Sequence, residues 1–179
     1  MRTLGGPIPT PEPGMTAPKT PTDAHDMRRT ALREAAQAQI LADIPLTRFM
    51  HLAISGWDGE SLRMSAPLEP NVNDKGCAFG GSLASVMTLA CWSLIKLAAD
   101  ERGLECDIYV QDSNLHYLAP VWEDFTAEAR LVENQSFEAF FSTLGARGKA
   151  RLAVHSAVRL ADGTLACSLN ARFVALRRL

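Results

Sequence analysis

Residues able to do chemistry gather in one stretch of this chain, Asn71 to Leu97. A polar loop, Asn71-Val72-Asn73-Asp74-Lys75-Gly76, passes through Cys77-Ala78-Phe79 into the pair Gly80-Gly81 and then a long apolar segment. Amides at the start of a helix lack intrahelical acceptors and carry partial positive charge, and glycine lets a foreign polar group approach them closely. Gly80-Gly81 is therefore a candidate for receiving a negative oxygen, although the same glycines would also let a helix and a sheet pack closely. Asn73 can donate through its side-chain amide to a carbonyl or carboxylate, or fold an Asx-turn that shapes its own loop. Cys77 is a candidate nucleophile with no histidine near it in sequence, and a small packed thiol is the commoner use of such a residue. Asp112, Asn114 and His116 alternate on one strand face, where they would line a channel or build a hydrogen-bonded subunit interface. His51 and His155 read as structural or exposed.

The apolar segment must position the glycines. It reads as a helix from Gly81 to Arg102 with Gly103 as its C′ residue. Leu83, Val86, Met87, Ala90, Leu94 and Leu97 form the main apolar face, widened by Leu89, Trp92 and Ile95. Ser85, Ser93, Lys96 and Ala99 are left for the less buried side. A helix this apolar is wrapped by other structure. Lys96 and scattered hydroxyls, without basic flanks, argue against a membrane span.

Around it the pattern is extended. His51–Ser55 and Ser61–Leu68 flank Gly56-Trp57-Asp58-Gly59 as a hairpin, with Leu62, Met64, Ala66 and Leu68 on the buried side. Further strands are expected over Cys106–Leu118, Phe125–Glu133, Lys149–Leu160 and Thr164–Leu176, with Asp162-Gly163 turning tightly between the last two. Ser136–Leu144 fits helix or strand. A helix capped by Asp26 or Thr30 should run to Asp43 and stop at Pro45. Six prolines in residues 1–26 mark a disordered tail, and Met27 is a second candidate start. The economical architecture is α+β, a single hot-dog domain over residues 27–179 in which a curved antiparallel sheet wraps one long helix. Hiding a sheet edge against a second copy predicts a homodimer or a dimer of dimers.

Composition is that of an ordinary globular chain: 179 residues, 47% hydrophobic, net charge −2. That balance excludes a chain-wide attraction to nucleic acid. The charge is uneven, with Arg147, Lys149, Arg151, Arg159, Arg172, Arg177 and Arg178 facing only Asp162 after Gly145. Such a basic third could meet cofactor phosphates or an acidic carrier protein, or could simply be a solvated strand face. Four dispersed cysteines without metal-ligand spacing, and no apolar signal region, read as reduced thiols in a cytoplasmic protein. Nothing indicates a metal, haem or flavin, so no cofactor is expected.

Asn73-Asp74-Lys75-Gly76-Cys77-Ala78-Phe79-Gly80-Gly81 resembles the N-x-x-G-x-x-H-G-G signature of hot-dog thioesterases, with Phe79 in place of the usual histidine. Pro70 to Gly76 with Phe79-Gly80-Gly81-Ser82-Leu83 is similar to the thioesterase family found as the C-terminal domain of YiiD. Asp112-Ser113-Asn114-Leu115-His116-Tyr117-Leu118-Ala119-Pro120-Val121 and Phe173-Val174-Ala175-Leu176 fit the same family. The resemblance runs from about Arg28 to Leu179. It implies an acyl thioester of coenzyme A or acyl carrier protein as ligand, and in some members malonyl-acyl carrier protein decarboxylation that primes fatty acid synthesis.

Either reaction puts negative charge on the thioester oxygen, which amides of Gly80, Gly81 and Ser82 would stabilise. Asn73, Gly81, Ser82 and Thr88 are then the catalytic candidates, with Phe79, Gly80, Ser85, Asp112 and Asn114 contacting substrate. Hydrolytic relatives carry an acid about two and a half turns into the helix, where this chain has Thr88. No carboxylate lies between Asp74 and Asp100. Hydrolysis needs a base for water, which Asp112 or Asp74, of this chain or of a partner chain, would have to supply. Decarboxylation of a malonyl thioester needs oxyanion stabilisation and a desolvated carboxylate but no base, which suits amides and the hydroxyls of Ser82, Ser85 and Thr88. A non-catalytic acyl-thioester binding protein is the third reading.

Overall fold

A computed structural model describes residues 21–178. Most of the tail expected over residues 1–26 lies outside them, and residues 21–26 are helical. In chain order the elements are α1 (Pro21–Asp43), α2 (Pro45–Phe49), β1 (Ala53–Trp57), β2 (Ser61–Ala66), α3 (Gly80–Glu101), β3 (Cys106–Tyr117), β4 (Phe125–Leu131), α4 (Phe137–Arg147), β5 (Lys149–Arg159) and β6 (Leu165–Arg177). The six strands form one antiparallel sheet in the order β1-β2-β4-β5-β6-β3. This is the hot-dog arrangement expected from the sequence.

Helix α3 is the core. Val86, Met87, Ala90, Cys91, Leu94, Ile95 and Leu97 have no exposed surface. Inward residues of the strands meet them, among them Leu62 and Met64 on β2, Val154 and Val158 on β5, and Phe173 on β6. Ser93 and Ala99, expected on a less buried side, are buried too, because α1 and the sheet enclose α3 together. The helix is long and apolar enough to cross a membrane, yet 67% of its most apolar window is buried inside the domain. Its C-terminus closes as the sequence implies. Gly103 takes a positive φ of 65°, its amide donates to Asp100 O, and the Leu104 amide donates to Ala99 O. These two bonds make a Schellman motif.

Two regions depart from the sequence reading. Pro45 starts α2 rather than only ending α1, since a fixed φ suits the first helical position and its missing N–H costs nothing there. The strand expected from His51 therefore begins at Ala53. The ambiguous segment after Ser136 is helix α4. Ser136 Oγ accepts from the Ala139 amide at 3.2 Å, and the Gly148 amide donates to Leu144 O at the other end.

The two sheet edges are treated differently. On β1 the Gln37 side chain of α1 donates to Leu52 O (3.0 Å) and accepts from the Ile54 amide (2.5 Å), occupying backbone groups of that edge. On β3 an exposed edge remains, carrying Tyr109, Val110 and Tyr117, each about half exposed.

Leu94 is fully buried in the core. Leu94→Ala is expected to cost about 2–5 kcal/mol of unfolding free energy, read as a lowered urea midpoint at unchanged slope.

Candidate functional site

The site grows from the way the chain enters α3. Phe79 is the N-cap residue, and no side chain caps the helix. The first helical bond runs from the Leu83 amide to Phe79 O at 3.0 Å. Among the described residues nothing accepts from the amides of Gly80, Gly81 and Ser82. Three donors backed by a 22-residue helix dipole are thus open to a ligand.

Aromatic rings stand against both glycines. Tyr117 of β3 packs on Gly80, where an added Cβ would lie 3.3 Å from the ring, and its hydroxyl donates to Gly80 O at 2.8 Å. Burial, with Cys167 nearby, pushes the Tyr117 hydroxyl above its ordinary range, so it keeps this proton. The Phe79 ring folds over Gly81, where an added Cβ would lie 2.8 Å from Cζ and closer still to Cε1. Both glycines therefore have a packing reason inside the chain itself.

Two hollows open beside this entrance. One, of about 290 Å3, lies toward α2 and is lined by Leu46, Phe49, Met50, Pro70, Asn71, Phe79, Gly81, Ser82 and Ser85. The other, of about 310 Å3, has Gly80 and Leu83 facing Tyr117 through Val121. Neither lining contains a carboxylate or an imidazole.

The structure thus brings together Phe79, Gly80, Gly81, Ser82 and Ser85, and not the other candidates. Ser85 Oγ donates to Gly81 O at 2.8 Å, bonding back within the helix. Thr88, half-buried one turn beyond Ser85, lines neither hollow. Asn73 forms the Asx-turn: its Oδ1 accepts from the Lys75 amide (2.8 Å) and its Nδ2 donates to Cys77 Sγ (3.2 Å). Cys77 is buried, with that amide as its side-chain partner. Asp74 is paired with Lys75 on the surface.

Asp112 and Asn114 lie elsewhere. Register pairs Leu115 with Leu169 and Ser113 with Ala171, whose side chains are buried. The alternate row, Asp112 with Arg172, Asn114 with Asn170 and His116 with Ser168, therefore faces the outside of the sheet, away from α3. The bulge between Val110 and Asp112 precedes this row and leaves it intact. His155 joins the same face through Asn170, 3.1 Å away. Two charges of the basic C-terminal third have acidic partners, Arg172 lying 3.9 Å from Asp112 and Arg178 pairing with Asp107, while Arg151 donates to the neutral Gln111 side chain.

Asn71, which the sequence does not single out from its loop, is the buried hub of the entrance. It is 1% exposed, donates Nδ2 to Met50 O (2.9 Å) and Pro67 O (2.8 Å), and accepts the Phe79 amide on its backbone carbonyl (2.7 Å). It ties α2, the turn after β2 and the start of α3 into one unit. Two carbonyl partners fix which side of the amide is nitrogen, so the buried atom without a partner is Oδ1. Its only sequence signal was a place in the same polar loop as Asn73.

Asn71→Ala strands two carbonyls and is expected to cost on the order of 3 kcal/mol, against about 1 kcal/mol for Asn73→Ala. Parallel urea unfolding of the two variants tests that ranking. Equal losses would contradict the hub role of Asn71.

Residues 33–177 match the family described as "Putative thioesterase (yiiD_Cterm)". A Chlorobaculum tepidum protein of unknown function superposes with a TM-score of 0.75 at 29% identity, covering 86% of this chain and 96% of its own. A Shewanella oneidensis protein described as a "putative thioesterase" gives 0.73 at 26%, covering 82% and 99%. A Pseudomonas aeruginosa protein shares the fold at 0.69 and 19% identity, covering 81% and 95%. With the hot-dog core and the uncapped start of α3 in place, the chain belongs to the YiiD C-terminal thioesterase family.

Proposed function

We propose that this protein is an enzyme acting on acyl thioesters of coenzyme A or an acyl carrier protein, with the thioester oxygen held at the start of α3. The observation that carries this reading is the set of unpartnered amides of Gly80, Gly81 and Ser82 opening between two largely apolar hollows. Such donors stabilise an oxyanion without reorganising, and a water-poor wall makes each bond stronger. An acyl chain suits Leu46, Phe49 and Met50, which offer no charge to compete with it.

A second reading, decarboxylation of a malonyl thioester, is favoured by what lines the hollows. Neither contains a group able to take a proton from water, and loss of carbon dioxide to leave an enolate needs none. Purified protein incubated with acetyl-, longer acyl- and malonyl-thioesters separates the readings. Free thiol signals hydrolysis, and carbon dioxide with the thioester intact signals decarboxylation. Binding without turnover would overturn both and leave a non-catalytic binding protein.

We also infer a homodimer through β3, because the β1 edge is occupied by Gln37 while β3 presents half-exposed Tyr109 and Val110. Light scattering should give twice the chain mass. Val110→Asp, which sets a carboxylate on that edge, should shift the protein toward monomer.

A further inference from the structure

The hollow beside α2 adjoins the buried hub residue Asn71. Asn71 lines it, is 1% exposed, and has a buried Oδ1 with no donor. No charged side chain borders the hollow, and its walls are Leu46, Phe49, Met50 and Pro70. The Phe79 ring lines the same hollow as these walls, Gly81 and Ser82. It rests on Gly81 where a Cβ would otherwise be, and 55% of the residue is exposed.

We propose that Phe79 sets how long an acyl group this hollow admits, and that Gly81 is a glycine in order to seat that ring. The inference rests on the acyl-thioester reading above and names its specificity-determining residue. A carbonyl held by the amides points its acyl chain toward α2, where the ring fills space that an extended chain would need. Any side chain at position 81 meets the ring first, and a ring is free to turn about its χ angles where a backbone is not. A methyl there pushes the ring into the hollow and shortens the space. Removing the ring makes the same methyl harmless. The two positions must therefore be coupled, and the coupling has a sign.

The test compares wild type, F79A, F79W, G81A and F79A/G81A on saturated acyl-coenzyme A thioesters from two to twelve carbons. Non-hydrolysable S-alkyl-coenzyme A thioethers of the same lengths are measured by calorimetry in parallel. F79A should raise kcat/KM or affinity for the longest chains relative to the shortest by at least about tenfold, and F79W should move the preference the other way. G81A should lower the longest chain accepted in the wild-type background and change it less than about threefold in the F79A background. Binding with an unchanged length profile in F79A and F79W overturns the proposal while leaving the acyl-thioester reading standing. A G81A loss that persists in full without the ring also overturns it, since Gly81 would then be serving the substrate directly. If no thioester or thioether binds to any of the proteins, the acyl-thioester reading fails and this inference falls with it.

Discussion

The constraint behind this fold is a 22-residue helix that is apolar on almost every side. Exposing it in water would forfeit roughly 1.5–3 kcal/mol for each large side chain left unburied, so the rest of the chain must surround it. Five of the six strands pack on α3, and α1 packs on it as well. Arg29 pairs with Glu101 at 2.8 Å, and Arg28 donates to Glu101 O, so α1 is fastened at the C-terminal end. What remains open is the other end, where the first amides point outward. The position of the site follows from the packing problem.

The same chain shows two ways to begin a helix. Ser136 gives α4 an ordinary side-chain cap, whereas α3 starts at Phe79, which can cap nothing. Leaving a cap out costs about 1 kcal/mol of local stability, and chains keep such exceptions where the unsatisfied groups have another use. Asn71 offsets the loss from outside the helix. By accepting the Phe79 amide and holding Met50 O and Pro67 O, it fixes the approach of the chain without occupying the donors of Gly80, Gly81 and Ser82. The entrance is held rigidly from behind while its front stays free.

Much of this was legible in the residues. Period-2 alternation in β2, β5 and β6 and the all-round apolarity of α3 specify a wrapped helix, because each pattern matches only one geometry. Gly103 and Asp162-Gly163 announced turns that the structure contains. Other local signals carry two meanings. Pro45 both ends one helix and begins the next, and Phe137-Glu138-Ala139-Phe140-Phe141 fits either period until Ser136 and Gly148 are weighed as caps. The site was harder still. Asn71 and Asn73 are chemically identical and two residues apart, and only tertiary contacts make one a buried hub and the other a loop turn. Asp112 and Asn114 sit on one face as alternation requires, but which face looks at α3 depends on pairing with β6.

Tyr117 links the site to the open edge of the sheet. It ends β3, lies 54% exposed, and still reaches Gly80 O with its hydroxyl. A partner adding to β3 near this residue would meet the same ring that packs on Gly80. Phe79 governs the opposite side from within the chain. The two rings differ in kind, since Tyr117 is pinned by a hydrogen bond to the helix while the Phe79 ring has no hydrogen-bonding atom and rests against Gly81. A hydrogen-bonded ring resists displacement by a further ~1 kcal/mol, so a substrate that must widen the entrance does so at lower cost by moving Phe79. The geometry of α3 therefore assigns the yielding wall to the α2 side and the fixed wall to the edge strand.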